Sequence, residues 1–445
     1  MRPVRSYLVL LMCFLFLIQY FANVVWIGNF VVIMAILAFI ASAINASGFP
    51  RIIAIIMMGT GMLLEINKGT GLEGISQGIL LILPLLCLVT LAPLLSLPLK
   101  LGGYFQSVDS LLRNLLHHPR QLFAGITTIL FILSPILNLG SVRIINEFLT
   151  DLKLPSAMSA KSYLIGFSTA LLWSPYFASV SLVLYYLGMS VGTYILYGIS
   201  LSFLSLVIGN LLFFLWERSH PLTKSSIPEK PLDRKHQKQL VQLALFVVIL
   251  MTSSLTIEYL TKWSMIVIVS LISIILPLIW GMITGWNRIN PMLIQFRDQS
   301  VPMMSNEITL FMSAGLLAHA IQGTRFANTI SEYLTVIAHQ SFLLFALAVM
   351  AIVLVVTYVG IHQIAVVAAL AMQLNAHELG ISNLALAMLL LLTWSISSSL
   401  SPFSGLNLMV SRIAGISGVE TGLRANGLHL SIMAVLGIGI IMFII

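Results

Sequence analysis

Apolar runs of about 20 residues recur along the whole chain, separated by short polar punctuation, and each is long enough to cross a ~30 Å hydrocarbon core as a helix. None shows the sustained alternation of a membrane β-barrel strand, and lipid requires the backbone to pair internally, so the runs are read as helices. They fall near 7–25, 30–46, 52–65 and 75–97, followed by a polar amphipathic stretch near 104–118. A polar segment, "WERSHPLTKSSIPEKPLDRKHQKQ" at 216–239, then divides the chain into halves of similar length. Beyond it lie runs near 241–259, 264–284 and 301–322 and a second amphipathic stretch near 324–339.

Each half ends on the same interrupted pattern. "WSPYFASVSLVLYYLGMS" (173–190) matches "LSPFSGLNLMVSRIAGIS" (400–417) at one constant spacing. Ser174-Pro175 falls on Ser401-Pro402, Tyr176 on Phe403, Gly188 on Gly415 and Ser190 on Ser417. A single Ser-Pro in a membrane helix is ordinarily a kink. Two in corresponding places of two halves are what a transporter built from repeats with discontinuous helices requires. A second interruption precedes each of these, at Ser134–Ser141 within 121–153 and around Thr357–Gln363 within 341–374, with Gly140 falling on Gly360 and Arg143 on Gln363.

Charge orients the spans. The 216–239 segment carries six Lys/Arg against three acids and is placed in the cytoplasm. The basic bias then survives only if 121–155 is a re-entrant hairpin that enters and leaves from the cytoplasmic side. Lys68, Lys262 and Arg325 fall outside, and Arg143 lies within the hairpin. An odd number of crossings precedes the second hairpin, so that one enters from outside and the halves are inverted repeats. The expected architecture is an all-α polytopic membrane protein with about eleven transmembrane helices. It comprises an N-terminal helix at 1–29, a first inverted repeat at 30–215 (hairpin 121–155, broken helix 162–188) and a cytoplasmic linker at 216–240. A second repeat follows at 241–445, with hairpin 341–375 and broken helix 383–412. The protein is expected in the cell membrane with its N-terminus in the cytoplasm and its C-terminus outside, the apolar run after Arg2 and Arg5 being an uncleaved first helix.

Composition narrows the function. The chain is 59% hydrophobic and 8% charged, with a mean hydropathy of +1.04. Its net charge of +8 sits at span ends and in one loop, as topology signals do, rather than on a face that would bind nucleic acid. There is no phosphate-binding Gly-Lys loop, HExxH or CxxC motif, and Cys13 and Cys87 lie within spans as packing residues.

The interruptions carry the chemistry. Proline removes a backbone donor, glycine permits unusual dihedrals and serine offers replacement hydrogen bonds. Freed carbonyls can hold a cation, and half-helix N-termini present N–H groups to an anion. The candidate substrate-binding residues are Asn138, Gly140, Ser141, Arg143, Ser174, Pro175, Thr357, Gly360, His362, Gln363, Ser401, Pro402, Ser404 and Asn407, with a Na⁺ position near Asn138, Ser174 and Ser401. No organic cofactor is expected. Arg143 has two readings, an anion ligand or a brace paired with Glu147. Glu307 and His319 are intramembrane ionisable groups for which a scaffold role is the simpler reading. Ser404-Gly405 with His429 resembles a rhomboid dyad, but Pro402 stands where that motif has Gly, and a protease leaves the repeat unexplained.

These residues resemble the ion transporter superfamily, which includes the divalent-anion/sodium symporters and the arsenite exporters. "ILNLGSVRII" is similar to its first hairpin tip, "LSPFSGLNLMV" to its second broken helix, and "FMSAGLLAHAIQGTRFANTISEYL" (311–334) to its span-plus-arm segment. The resemblance implies a homodimer of scaffold and transport domains working by an elevator-like motion. The symporters' Ser-Asn-Thr tip is absent, and the exporters' Asn-Asp tip is reduced to Asn138-Leu139. The function expected is secondary active transport of a small anion such as an organic carboxylate, coupled to Na⁺ or H⁺ or working by exchange. The alternative is a cation/proton antiporter or metalloid exporter.

Overall fold

The computed structural model describes residues 2–46, 48–152, 154–221 and 233–445, so the middle of the expected linker, 222–232, and Lys153 at the foot of the first hairpin lie outside the described residues. Among the described residues the chain is all helix and turn, and eleven helices are long and apolar enough to cross a membrane. The set of eleven differs from the expected one at two places: it includes Pro119–Leu137, expected as an arm of the first hairpin, and lacks the run at 301–322. The run expected at 301–322 forms a helix only from Ser305 to Ile321, because Phe296–Ser300 is a π-helical turn and Val301–Met303 a separate short turn. The first helix, expected near 7–25, runs to Ala22, and Asn23, with φ 49°, separates it from Val25–Asn45, which was expected to begin near residue 30. Asparagine is among the few residues that tolerate that conformation.

The two hairpins and two broken helices form as separate helical pieces. The first hairpin climbs through Pro119–Leu137 and returns through Gly140–Leu149. Its interruption is narrower than Ser134–Ser141, because Ser134 and Pro135 stay in the climbing helix and the chain turns only at Asn138-Leu139, Asn138 having φ 51°. The second climbs through Phe342–Tyr358 and returns through Gln363–Gln373, turning at Gly360 with φ 103°. The first broken helix consists of Ser156–Trp173 and Ala178–Tyr186, the second of Asn383–Leu400 and Gly405–Ala414. Amphipathic helices Tyr104–Asn114 and Arg325–Gln340 precede the two hairpins.

Burial places the broken helices at the centre. Their most apolar windows are 94% and 89% buried, against 28% for Pro50–Asn67, whose remaining surface is left for lipid. The helix Ser305–Ile321 is wedged between Gly48–Asn67 and Gly71–Leu91 at glycine contacts. A Cβ on Gly315 would fall within the Ile82 side chain, the kind of close approach small residues permit between membrane helices. A polar clasp fixes the far end of this wedge. The fully buried Glu65 carboxylate accepts from Thr70 Oγ1 at 2.5 Å and meets His319 Nδ1 at 2.9 Å and Lys68 Nζ at 3.4 Å. His319 therefore belongs to the scaffold.

Candidate functional site

Each proline break leaves one carbonyl without its helical donor, and the same repair is made at both. Pro175 cannot donate to Leu171 O, which accepts from Ser179 Oγ at 2.9 Å. Pro402 cannot donate to Ser398 O, which accepts from Ser404 Oγ at 2.5 Å. The neighbouring carbonyls are covered as well, Leu172 O by the Tyr194 hydroxyl at 2.6 Å and Ser399 O by Asn407 Nδ2 at 2.9 Å. The carbonyls expected to be free for a cation are thus taken by side chains, which replace the missing donors.

Further bonds join the broken helices and the hairpin tips. Ser395 Oγ donates to Ser168 O at 3.0 Å, linking the two broken helices. Ser401 Oγ donates to Thr357 O at 2.8 Å, linking the second break to the second hairpin. The first tip braces itself. Ser141 Oγ donates to Asn138 O at 2.7 Å and lies 2.9 Å from Ser134 Oγ, while Asn138 Oδ1 accepts from Leu139 N.

Between the two tips and the two breaks lies a cavity of about 330 Å³. Its walls follow the repeat found in the sequence. Phe167 and Trp394, Leu171 and Ser398, Phe177 and Ser404, and Ala178 and Gly405 are corresponding pairs, and all eight line it. Four helices begin at its wall, with first residues Gly140, Ala178, Gln363 and Gly405. Each brings N–H groups without an intrahelical partner and a partial positive charge. Two of these N-termini are capped, by Ser404 Oγ on Asn407 N at 3.0 Å and by His362 Nδ1 on Ile364 N at 3.2 Å. The helices starting at Gly140 and Ala178 have no side-chain cap.

Of the candidate residues, Asn138, Gly140, His362, Gln363 and Ser404 line this cavity. Ser141, Ser174, Thr357, Ser401 and Asn407 are buried and hold the tips and breaks in shape, Ser174 Oγ and Ser401 Oγ accepting from Tyr176 N and Phe403 N. Pro175 and Pro402 create the breaks, and Gly360 supplies the second turn. Of the oxygens proposed for Na⁺, Ser174 Oγ and Ser401 Oγ each accept one backbone N–H, Ser401 Oγ also donates to Thr357 O, and Asn138 Oδ1 accepts from Leu139 N.

Arg143 lines an adjoining cavity of about 280 Å³ together with Lys100. The two cavities share Pro93, Leu137 and Gly140 in their walls. The displacement has a simple cause. Gln363 opens its return helix as Gly140 opens the other, so these two correspond in structure and Arg143 lies about one turn further along. Arg143 forms no ion pair with Glu147 among the described residues, and both side chains are exposed.

The site also contains residues outside the candidate set. Phe167, Phe177, Phe311 and Trp394 give it aromatic walls, and Glu307 faces it from the third position of the wedged helix. The repeat spacing that relates the prolines also pairs Phe167 with Trp394, and that signal was present in the sequence. The resemblance to a rhomboid dyad has no counterpart here. His429 Nε2 lies 3.3 Å from Ser205 Oγ and 3.1 Å from Ser205 O, while Ser404 is committed to its own helix break.

No protein-family description and no curated protein matches the chain. Among solved structures, it is similar to the YdaH transporter of Alcanivorax borkumensis, a protein described as having an unusual topology. The likeness has a TM-score of 0.54 and covers 80% of this chain and 85% of that one, at 15% identity. It is a likeness of fold: a polytopic helical membrane architecture shared with a transporter.

Proposed function

We propose that the chain is a secondary active transporter of a small anion. The observation that carries this reading is the cavity between tips and breaks onto which four helix N-termini open, with no Lys or Arg side chain in its wall. Converging dipole ends attract negative charge without the desolvation cost of a buried cation. The aromatic walls suit a carboxylate with an apolar body, and Arg143 and Lys100 in the adjoining cavity form a positively charged approach to it. The transporter fold of the structural neighbour is consistent with this reading.

The hydrogen bonds joining breaks and tips favour their moving as one body past the glycine-packed wedge helix, which is the elevator motion that the resemblance implies. The two halves are taken as inverted repeats, and the protein as a homodimer in the cell membrane. Its N-terminus and linker are placed in the cytoplasm and its C-terminus outside. A specific observation favours a second reading, cation/proton exchange or metalloid export: Glu307 stands in the cavity wall, and its buried Oε2 has no hydrogen-bond partner. No step is assigned to Na⁺.

Thermal-shift measurements on the purified full chain with benzoate, succinate, sulfate and sodium salts, followed by proteoliposome uptake, distinguish the two. Stabilisation by an anion and saturable counterflow of it are expected. Substrate-independent Na⁺/H⁺ exchange, with no anion stabilising the protein, would overturn the anion reading.

A further inference from the structure

Glu307 is set apart from the other interior carboxylates. Glu65 is held by His319, Thr70 and Lys68, and Glu258 accepts from the backbone N–H groups of Val191 and Gly192. Glu307 Oε2 is closed to solvent and has no hydrogen-bond partner, although the side chain lies in the wall of the anion-attracting cavity.

Its charged surroundings are few. From the second return helix it is faced by His362, whose Nδ1 accepts from Ile364 N, so that a single ring proton sits on Nε2 and the imidazole is neutral. On its own helix, His319 lies about 18 Å away along the axis, within the Glu65 clasp. The N-terminal helix contributes Arg5, which donates to Pro302 O at 2.9 Å about one turn before Glu307. Arg297 and Asp298 pair with each other. The helix Val25–Asn45 carries no ionisable residue, and Arg51 and Glu73, both exposed, stand near the first turns of the two helices that grip the wedge.

An anion entering this cavity would share it with the Glu307 carboxylate, and two negative charges so close between mainly apolar walls repel strongly enough to favour protonation of one of them. We propose that Glu307 carries the coupled proton. In the empty cavity its carboxylate balances the four helix N-termini. When an anion enters, the carboxylate takes one proton from the solvent on the side to which the cavity opens. When the anion leaves on the opposite side, that proton is released with it. The cycle moves one anion and one proton together in the same direction. It rests on the anion reading and names the coupling ion for the same site.

The test is calorimetric titration of the purified full chain with benzoate and with sulfate, from about pH 5 to about pH 9, in buffers of differing ionisation enthalpy. Uptake of one proton per anion is expected in the alkaline part of the range, with affinity falling about tenfold per pH unit there. In Glu307→Gln the uptake should vanish and the affinity lose its pH dependence, and Glu307→Asp should restore both. A carboxylic-acid C=O infrared band should appear when the anion is added to the wild-type chain, a readout that needs no variant. Proton uptake persisting in Glu307→Gln, or vanishing instead in His362→Gln, would overturn the assignment, as would absence of uptake in the wild-type chain. If neither anion binds the wild-type chain or Glu307→Gln at any pH, the anion reading itself fails, an outcome distinct from binding without proton uptake.

Discussion

Ser179 and Ser404 hold the breaks open without leaving them polar and unpaired. Each donates to the carbonyl that proline deprives of its N–H, so each should cost about 1–3 kcal/mol when changed to alanine. The repair argument makes a sharper forecast than the single changes. In a Pro402→Ala background the backbone N–H returns and can serve Ser398 O, so Ser404→Ala should cost clearly less there than in the native chain. Unfolding midpoints of the four proteins of that cycle in detergent measure the coupling, and additive costs would refute the repair. The Glu65 clasp behaves differently because a full charge is buried in it. His319→Ala removes one of three partners from a carboxylate that solvent cannot reach and should cost about 3 kcal/mol, seen as a large fall in the unfolding midpoint.

At the scale of elements, helix position depends on where side chains can be absent. The wedge helix Ser305–Ile321 reaches the centre because Gly315 lies against Ile82 and Gly61 against Leu316. Gly315→Val should therefore force the helices apart, costing about 1–3 kcal/mol by overpacking and lowering the yield of folded protein on size-exclusion chromatography. The same change at Gly439, where nothing lies within 4 Å, should be tolerated. The breaks themselves were legible in the sequence, since a Ser-Pro in each half at one constant spacing interrupts two helices at corresponding places. The limits of the hairpin turns were not. The interruption was expected from Ser134, yet Ser134 and Pro135 sit in the last turn of the climbing helix, and the chain reverses where Asn138 adopts a positive φ. That choice between adjacent residues is made by packing, which sequence patterning does not encode.

At the scale of the molecule, the proposed motion divides the structure into a body carrying both tips and both breaks and a body holding the wedge helix. Leu139 Cδ1 lies 3.6 Å from the position of a Cβ on Gly405, both within the first body, whereas the Phe311 and His362 rings meet edge to face with centroids 5.3 Å apart across the division. A reversible mercury bridge in Leu139→Cys/Gly405→Cys should leave counterflow running, while one in Phe311→Cys/His362→Cys should stop it, each judged against the same variant before bridging. Arrest by the first bridge would argue against a rigid moving body. By itself the sequence determined that the chain is a helical membrane protein and where its helices are interrupted, because hydropathy over about 20 residues and the chemistry of Pro, Gly and Ser are local properties. Only the tertiary structure decided that four helix N-termini share one cavity with Glu307, that Arg143 stands beside this cavity in an adjoining one, and that side chains donate to the carbonyls the two prolines deprive of a donor. Those facts depend on distances between segments far apart in the chain, set by how glycine contacts and buried hydrogen bonds let the helices approach.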